Sequence, residues 1–121
     1  MAKRDDEFLK KLIATFKVEA DEHLKAITKG LLELEKSPAD EARRGIVETV
    51  FREAHSLKGA ARSVNLTEVE NACQSLESVL SFLKKNDLEA PREILDVFHN
   101  ACDALRNFIF SDARTSKRTE E

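Results

Sequence analysis

Three histidines and two cysteines are the first candidates in this sequence for nucleophilic or zinc-binding chemistry. No H-E-x-x-H or paired-cysteine spacing gathers them into a zinc site. Neither a G-x-S-x-G turn nor a Walker loop occurs among the three glycines, Gly30, Gly45 and Gly59. No metal ligands are therefore assigned, and no nucleotide site is recognisable. Cys73 and Cys102 fall on apolar helical faces without redox spacing, which predicts buried, inert thiols suited to a reducing compartment.

Helical geometry separates the histidines. At 100° per residue the apolar stripe around His55 centres about 135° away from it, so His55 faces outward. Its own face carries Phe51 one turn before, Lys58 and Gly59 one turn after, and Arg62 two turns after. Surface histidines beside lysine and arginine are commonplace; the glycine sets this one apart. Mid-helix glycine costs about 0.5–1 kcal/mol relative to alanine, and no turn is needed here. A missing side chain next to His55 lets another protein or a phosphoryl group approach, while Lys58 and Arg62 supply charge for an anion. The set describes a phosphate-carrying histidine. His23, at the margin of an apolar face between Ala20 and Ile27, suits a packing or boundary role, and His99 points away from its stripe with no cluster around it.

These residues need rigid helices to hold them. From Asp5 to Lys36, apolar residues from Leu9 through Leu34 recur at three- and four-residue steps, which predicts one long amphipathic helix ending at Ser37-Pro38. Pro38 suits the first turn of the next helix, whose face is Ile46, Val50, Ala54, Leu57, Ala61 and Val64, with Asn65 as a left-handed stop. Thr67 and Glu70 are placed as a capping box for a third helix with the stripe Val69, Cys73, Leu76, Leu80 and Leu83. Asn86-Asp87 ends it. Pro91 opens a fourth helix bearing Ile94, Phe98, Ala101, Leu105, Phe108 and Ile109. The expectation is all-α: an antiparallel four-helix bundle over 5–110, with a polar tail or linker over 111–121.

Composition bounds the partners. At 121 residues, 41% hydrophobic and 36% charged, the chain is one globular domain, able to bury roughly 65% of its unfolded surface. A net charge of −3 with interspersed signs leaves no basic stripe for nucleic acid. An acidic start instead of an apolar leader, and no apolar run of membrane-spanning length, give the expectation of a cytoplasmic protein without direct membrane insertion.

The stretch His55-Ser56-Leu57-Lys58-Gly59-Ala60-Ala61 resembles the signature of histidine phosphotransfer domains. Upstream, Phe16-Lys17-Val18-Glu19-Ala20-Asp21-Glu22-His23-Leu24 and Val50-Phe51-Arg52-Glu53-Ala54 look like the amino-terminal domain of the chemotaxis kinase CheA family, and the resemblance spans roughly 8–83. It implies that Glu77 accepts a hydrogen bond from the ring nitrogen that is not phosphorylated. Helical angles put Glu77 about 100° from its stripe's centre, on a wet flank. Gln74 stands where some CheA proteins have a second histidine, leaving it a secondary polar residue, and Asn65 stands where glycine is common.

Free imidazole titrates near pH 6.5, so most of it is neutral at cytoplasmic pH. With Glu77 holding Nδ1–H, the reactive lone pair falls on Nε2. Lys58 is expected to stabilise phosphoryl oxygens, and Phe51, Gly59 and Arg62 to meet the partner. The domain binds no cofactor of its own: a histidine-kinase catalytic domain must supply Mg–ATP, and a response-regulator receiver domain must accept the phosphoryl group on an aspartate. Whether the chain is itself an enzyme stays open; the implied parent is a histidine protein kinase. Two alternatives stand beside this reading, a non-catalytic helical adaptor and a histidine-dependent enzyme acting on a small molecule.

Overall fold

The computed structural model describes residues 2–111, so the tail expected beyond Ser111 lies outside the described residues. Four helices follow one another: α1 (Ala2–Glu35), α2 (Asp40–Ser63), α3 (Thr67–Lys85) and α4 (Arg92–Phe110). No strand occurs among the described residues.

Each connection turns on one short polar residue in the left-handed conformation: Ser37 at φ 49°, Asn65 at φ 60° and Asp87 at φ 52°. Such side chains tolerate this region better than most. At the end of α2, Asn65 N–H donates to Arg62 O and Leu66 N–H to Ala61 O, which is the Schellman pattern; Asp87 and Leu88 repeat it on Lys84 and Leu83. After α1 the Ser37 N–H donates to Leu34 O, but the second bond of the pattern is missing because the next residue is Pro38 and has no N–H.

Pairs of side chains fix the directions. Along α2 and α3, Arg44 meets Asp87, Glu48 meets Lys84, His55 meets Glu77 and Arg62 meets Glu70. One number rises as the other falls, so these helices are antiparallel. Asp21 with Arg106 and Glu35 with His99 show the same for α1 and α4. α2 packs extensively on both α1 and α3; α4 rests mainly on α1 and only sparsely on α3. Leu24, Ile27, Leu31, Val50, Leu57, Val69, Cys73 and Leu80 form the fully buried centre.

Three local expectations are corrected. Thr67 is not a cap: Leu66 occupies that position without a side-chain bond, and the Glu70 carboxylate goes to Arg62 instead. Pro38 and Pro91 precede their helices rather than sitting in the first turn. The buried stripe of α4 runs through Leu95, Phe98, Cys102, Leu105 and Ile109, so Ile94 and Ala101 are only half-buried and Phe108 is exposed. α2 shows the same one-residue lean, burying Val47 in place of Ile46.

Candidate functional site

The antiparallel register of α2 and α3 brings His55 opposite Glu77. His55 Nδ1 lies 2.6 Å from Glu77 Oε1, with 66% of the imidazole exposed and only 8% of the Glu77 side chain. A carboxylate offers only acceptors, so Nδ1–H is the donor of this pair, and in a neutral ring the lone pair then falls on Nε2. The ring is presented to solvent while its carboxylate partner is rooted in the helix seam.

Glu77 is buried, not on a wet flank as the helical angles suggested. An isolated carboxylate there would be costly. Lys58 removes the difficulty by donating from Nζ to Glu77 Oε2 at 2.6 Å and to Gln74 Oε1 at 3.1 Å. Its side chain is 14% exposed, so Lys58 is part of the support beneath the histidine rather than a free cation above it. Gln74 Nε2 in turn lies 3.4 Å from Ser78 Oγ. The bond of Lys58 to Gln74 crosses from α2 to α3 and escapes the wheel of either helix alone; pairing Arg62 with Glu70 first would have set the register that reveals it, whereas Gln74 and Ser78 are i,i+4 neighbours within α3.

Gly59 fits its expected place, since a Cβ added there meets nothing within 4 Å. Arg62 is bonded through Nε to Glu70 at 2.6 Å but stays exposed. Phe51 is half-buried against the core, and Lys84 Nζ stands 5.2 Å from its ring centre, so its outer face is partly covered. His23 lies at the α1–α2 boundary, with Nδ1 2.8 Å from Glu53 Oε2. His99 departs from expectation: it is three-quarters buried, 3.5 Å from Glu35, and its Nε2 makes no hydrogen bond.

Among the described residues no group of three His, Cys, Asp or Glu side chains is placed to hold a metal. No helix is long and apolar enough to cross a membrane. Both cysteines are buried free thiols.

An outward histidine steadied by a carboxylate on the neighbouring helix of an antiparallel bundle defines a class of phosphoryl-carrying helical modules. The Hpt domain family matches residues 11–108, and the chain belongs to that family, whose chemistry is histidine phosphotransfer. It is 34% identical over 93 residues to the chemotaxis protein CheA of Bacillus subtilis (strain 168), covering 77% of this chain and 13% of that protein. It is 35% identical over 120 residues to a gliding motility regulatory protein of Myxococcus xanthus, covering 97% of this chain and 15% of that protein. The chain thus spans about a seventh of the length of these relatives. The CheA phosphotransferase domain from Thermotoga maritima has a similar structure, with a TM-score of 0.69 and 26% identity over 85% of this chain and 91% of that one.

Proposed function

We propose that His55 is the phosphoacceptor, in a CheA-like chemotaxis pathway of the cytoplasm. One observation carries this reading: a 66% exposed imidazole whose Nδ1 is held 2.6 Å from an almost fully buried glutamate. The Nε2 lone pair attacks the γ-phosphorus of ATP, the N–P bond forms as the bond to ADP breaks, and Nδ1–H stays on Glu77, which offsets the positive charge on the ring. In the second step an aspartate carboxylate of a receiver domain attacks phosphorus, the N–P bond breaks, and neutral His55 is restored.

The histidine-kinase catalytic domain brings Mg–ATP; this chain contributes the positioned nucleophile. Lys58 has three N–H donors. Glu77 and Gln74 take two, leaving one for a phosphoryl oxygen. Gly59 opens the approach, with Phe51 and Arg62 at the edge of the partner's footprint. The exposure of His55 favours a macromolecular donor over a small-molecule substrate.

The test is labelling from radioactive ATP with a chemotaxis-type kinase domain. One acid-labile, base-stable phosphoryl group is expected on the wild type and on His23→Gln and His99→Gln, and none on His55→Gln. Label that persists on His55→Gln sinks the assignment, and a wild type that takes no label favours the adaptor.

A further inference from the structure

Two apolar faces lack a neighbour among the described residues. The first belongs to the start of α1. With 34 residues against 24 in α2, α1 is about 15 Å the longer. The excess lies at its beginning: Leu12, Thr15 and Phe16 share a groove with Ser63 and Val64 at the end of α2. Asp21 pairs with Arg106, so in the antiparallel register Phe110 falls level with Lys17 and α4 ends there too. Earlier residues of α1 project past both neighbours. On this projection Phe8 is 63% exposed, Leu9 53% and Ile13 41%, and together with Leu12 they occupy one side of the helix. Lys10 and Lys11 flank that side.

The second face is on α4. Besides its core stripe, α4 carries Ile94, Val97, Ala101, Ala104 and Phe108 at alternating three- and four-residue steps, the spacing of a coiled-coil seam. Val97 is 59% and Phe108 43% exposed. His99 and Arg106 reach α1, and Val97 and Phe108 lie about 160° around the helix from them. The seam therefore points away from α1, and contact with α3 is sparse. Glu93, Asp96 and Asp103 stand exposed on the flank away from the core. Contiguous apolar faces of this kind mark interaction sites.

We infer that the chain forms a two-fold dimer in which the projecting start of α1 of each copy lies on the α4 seam of the other. Each face repels a copy of itself. Two projections paired antiparallel set Phe8 opposite Ile13, and that register brings Lys10 and Lys11 of both copies together. Two seams paired antiparallel bring carboxylates together. Exchange puts the lysines beside the carboxylates instead, and such complementarity fixes register. The projection and the end of α4 lie at the same end of the bundle, so one two-fold rotation makes both contacts at once. Phe8 and Leu9 of one copy then pass over the small Ala101 and Ala104 of the other, with Ile13 beside Phe108. The chain's own continuation is a poorer occupant, because residues 112–121 contain Ala113 as their one apolar side chain. The two contacts together remove roughly 1,200 Å² from water, the low end for a specific interface. An affinity of roughly 10–100 μM is expected. His55 and Gly59, on the α2–α3 side, stay uncovered, so the dimer stands apart from the phosphoacceptor reading.

The test is sedimentation velocity of the whole chain, at concentrations from about tenfold below to about tenfold above that range. The wild type should pass reversibly from monomer to dimer. Leu9→Glu on the projection and Ala104→Glu on the seam should each leave a monomer throughout, with the wild-type melting temperature, since both positions are exposed. If Ala104→Glu melts early, Phe108→Glu takes its place. Lys10→Glu with Lys11→Glu should raise the dissociation constant about tenfold, and adding Asp96→Lys with Asp103→Lys in the same chain should bring it back. A wild type that stays monomeric overturns the dimer. Dimers that survive the seam substitution pair through their projections, dimers that survive Leu9→Glu pair elsewhere, and species that keep growing with concentration form an open chain; each overturns the exchange, as does a charge-reversed chain that fails to recover.

Discussion

At the scale of single residues, the two oxygens of Glu77 face different demands. Oε1 orients His55 and Oε2 binds Lys58, so chemistry and stability share one carboxylate. Removing one member of a buried ion pair strands the other. Lys58→Met should therefore cost about 3 kcal/mol by chemical denaturation and slow labelling of His55. Glu77→Leu combined with Lys58→Met removes both charges, and it should recover most of that stability while labelling stays slow. If the double variant is no more stable than Lys58→Met, the stranded-charge explanation is wrong; if it labels at the wild-type rate, Glu77 does not orient the ring. Gly59 separates the same two properties in the opposite sense. With open space where its Cβ would be, Gly59→Ala should stabilise the helix by up to about 1 kcal/mol. Gly59→Leu should fold with unchanged circular dichroism yet hinder transfer; normal transfer through Gly59→Leu would mean that close approach over this turn is not required.

At the scale of elements, the connections decide how exactly the helices are registered. Asp87 combines a left-handed backbone with hydrogen bonds from both Arg44 and Arg43, anchoring the end of α3 to the start of α2. First the Arg44 guanidinium and then that of Arg43 hold its carboxyl well below the usual carboxylate range. A depressed carboxyl contributes stability that is present above the unfolded value, about 3.9, and lost as the pH falls toward the folded value. Asp87→Asn tolerates the same backbone conformation but loses the charge. The wild type should melt higher than this variant at neutral pH, and the gap should close as the pH falls below about 4. A gap that stays constant to pH 2 would assign Asp87 a purely conformational role. Much at this scale was legible in the sequence: the four helices and the outward turn of His55 follow from three- and four-residue spacing, and the Asn65 stop from that residue's tolerance of the left-handed conformation. The depth of Glu77 was not, because it depends on Lys58 reaching across from another helix. The cap expected of Thr67 failed for a similar reason, since Arg62 of α2 takes the Glu70 carboxylate. The one-residue lean of the α4 stripe reflects which neighbour it rests on, a choice that periodicity within one helix does not encode.

At the scale of the whole molecule, packing is uneven. α1, α2 and α3 form a tightly joined set, while α4 rests mainly on α1 and little on α3. Two thiols report on that seam: Cys73 on α3 and Cys102 on α4, both in the core. Burial, and then the charge of Glu77, pushes the Cys73 thiol up to about 12; burial, and then Asp103, pushes Cys102 up to about 11. A free thiol near 8.5 is about a quarter thiolate at pH 8, whereas a thiol at 11 is roughly a thousandth thiolate. Neither cysteine of the native bundle should react with a thiol reagent at pH 8 until a helix leaves. The least-joined helix is α4, and its departure uncovers both sulfurs at once. Both should therefore label with one common rate, faster than the slowest amide hydrogen exchange in α2, which requires global unfolding. Mass spectrometry of the labelled peptides measures the two sites separately, and hydrogen exchange supplies the reference. If Cys102 reacts while Cys73 remains protected, α4 frays locally instead of opening as a unit. If both react no faster than the α2 amides exchange, the four helices open together and the sparse α3–α4 seam carries no independent motion.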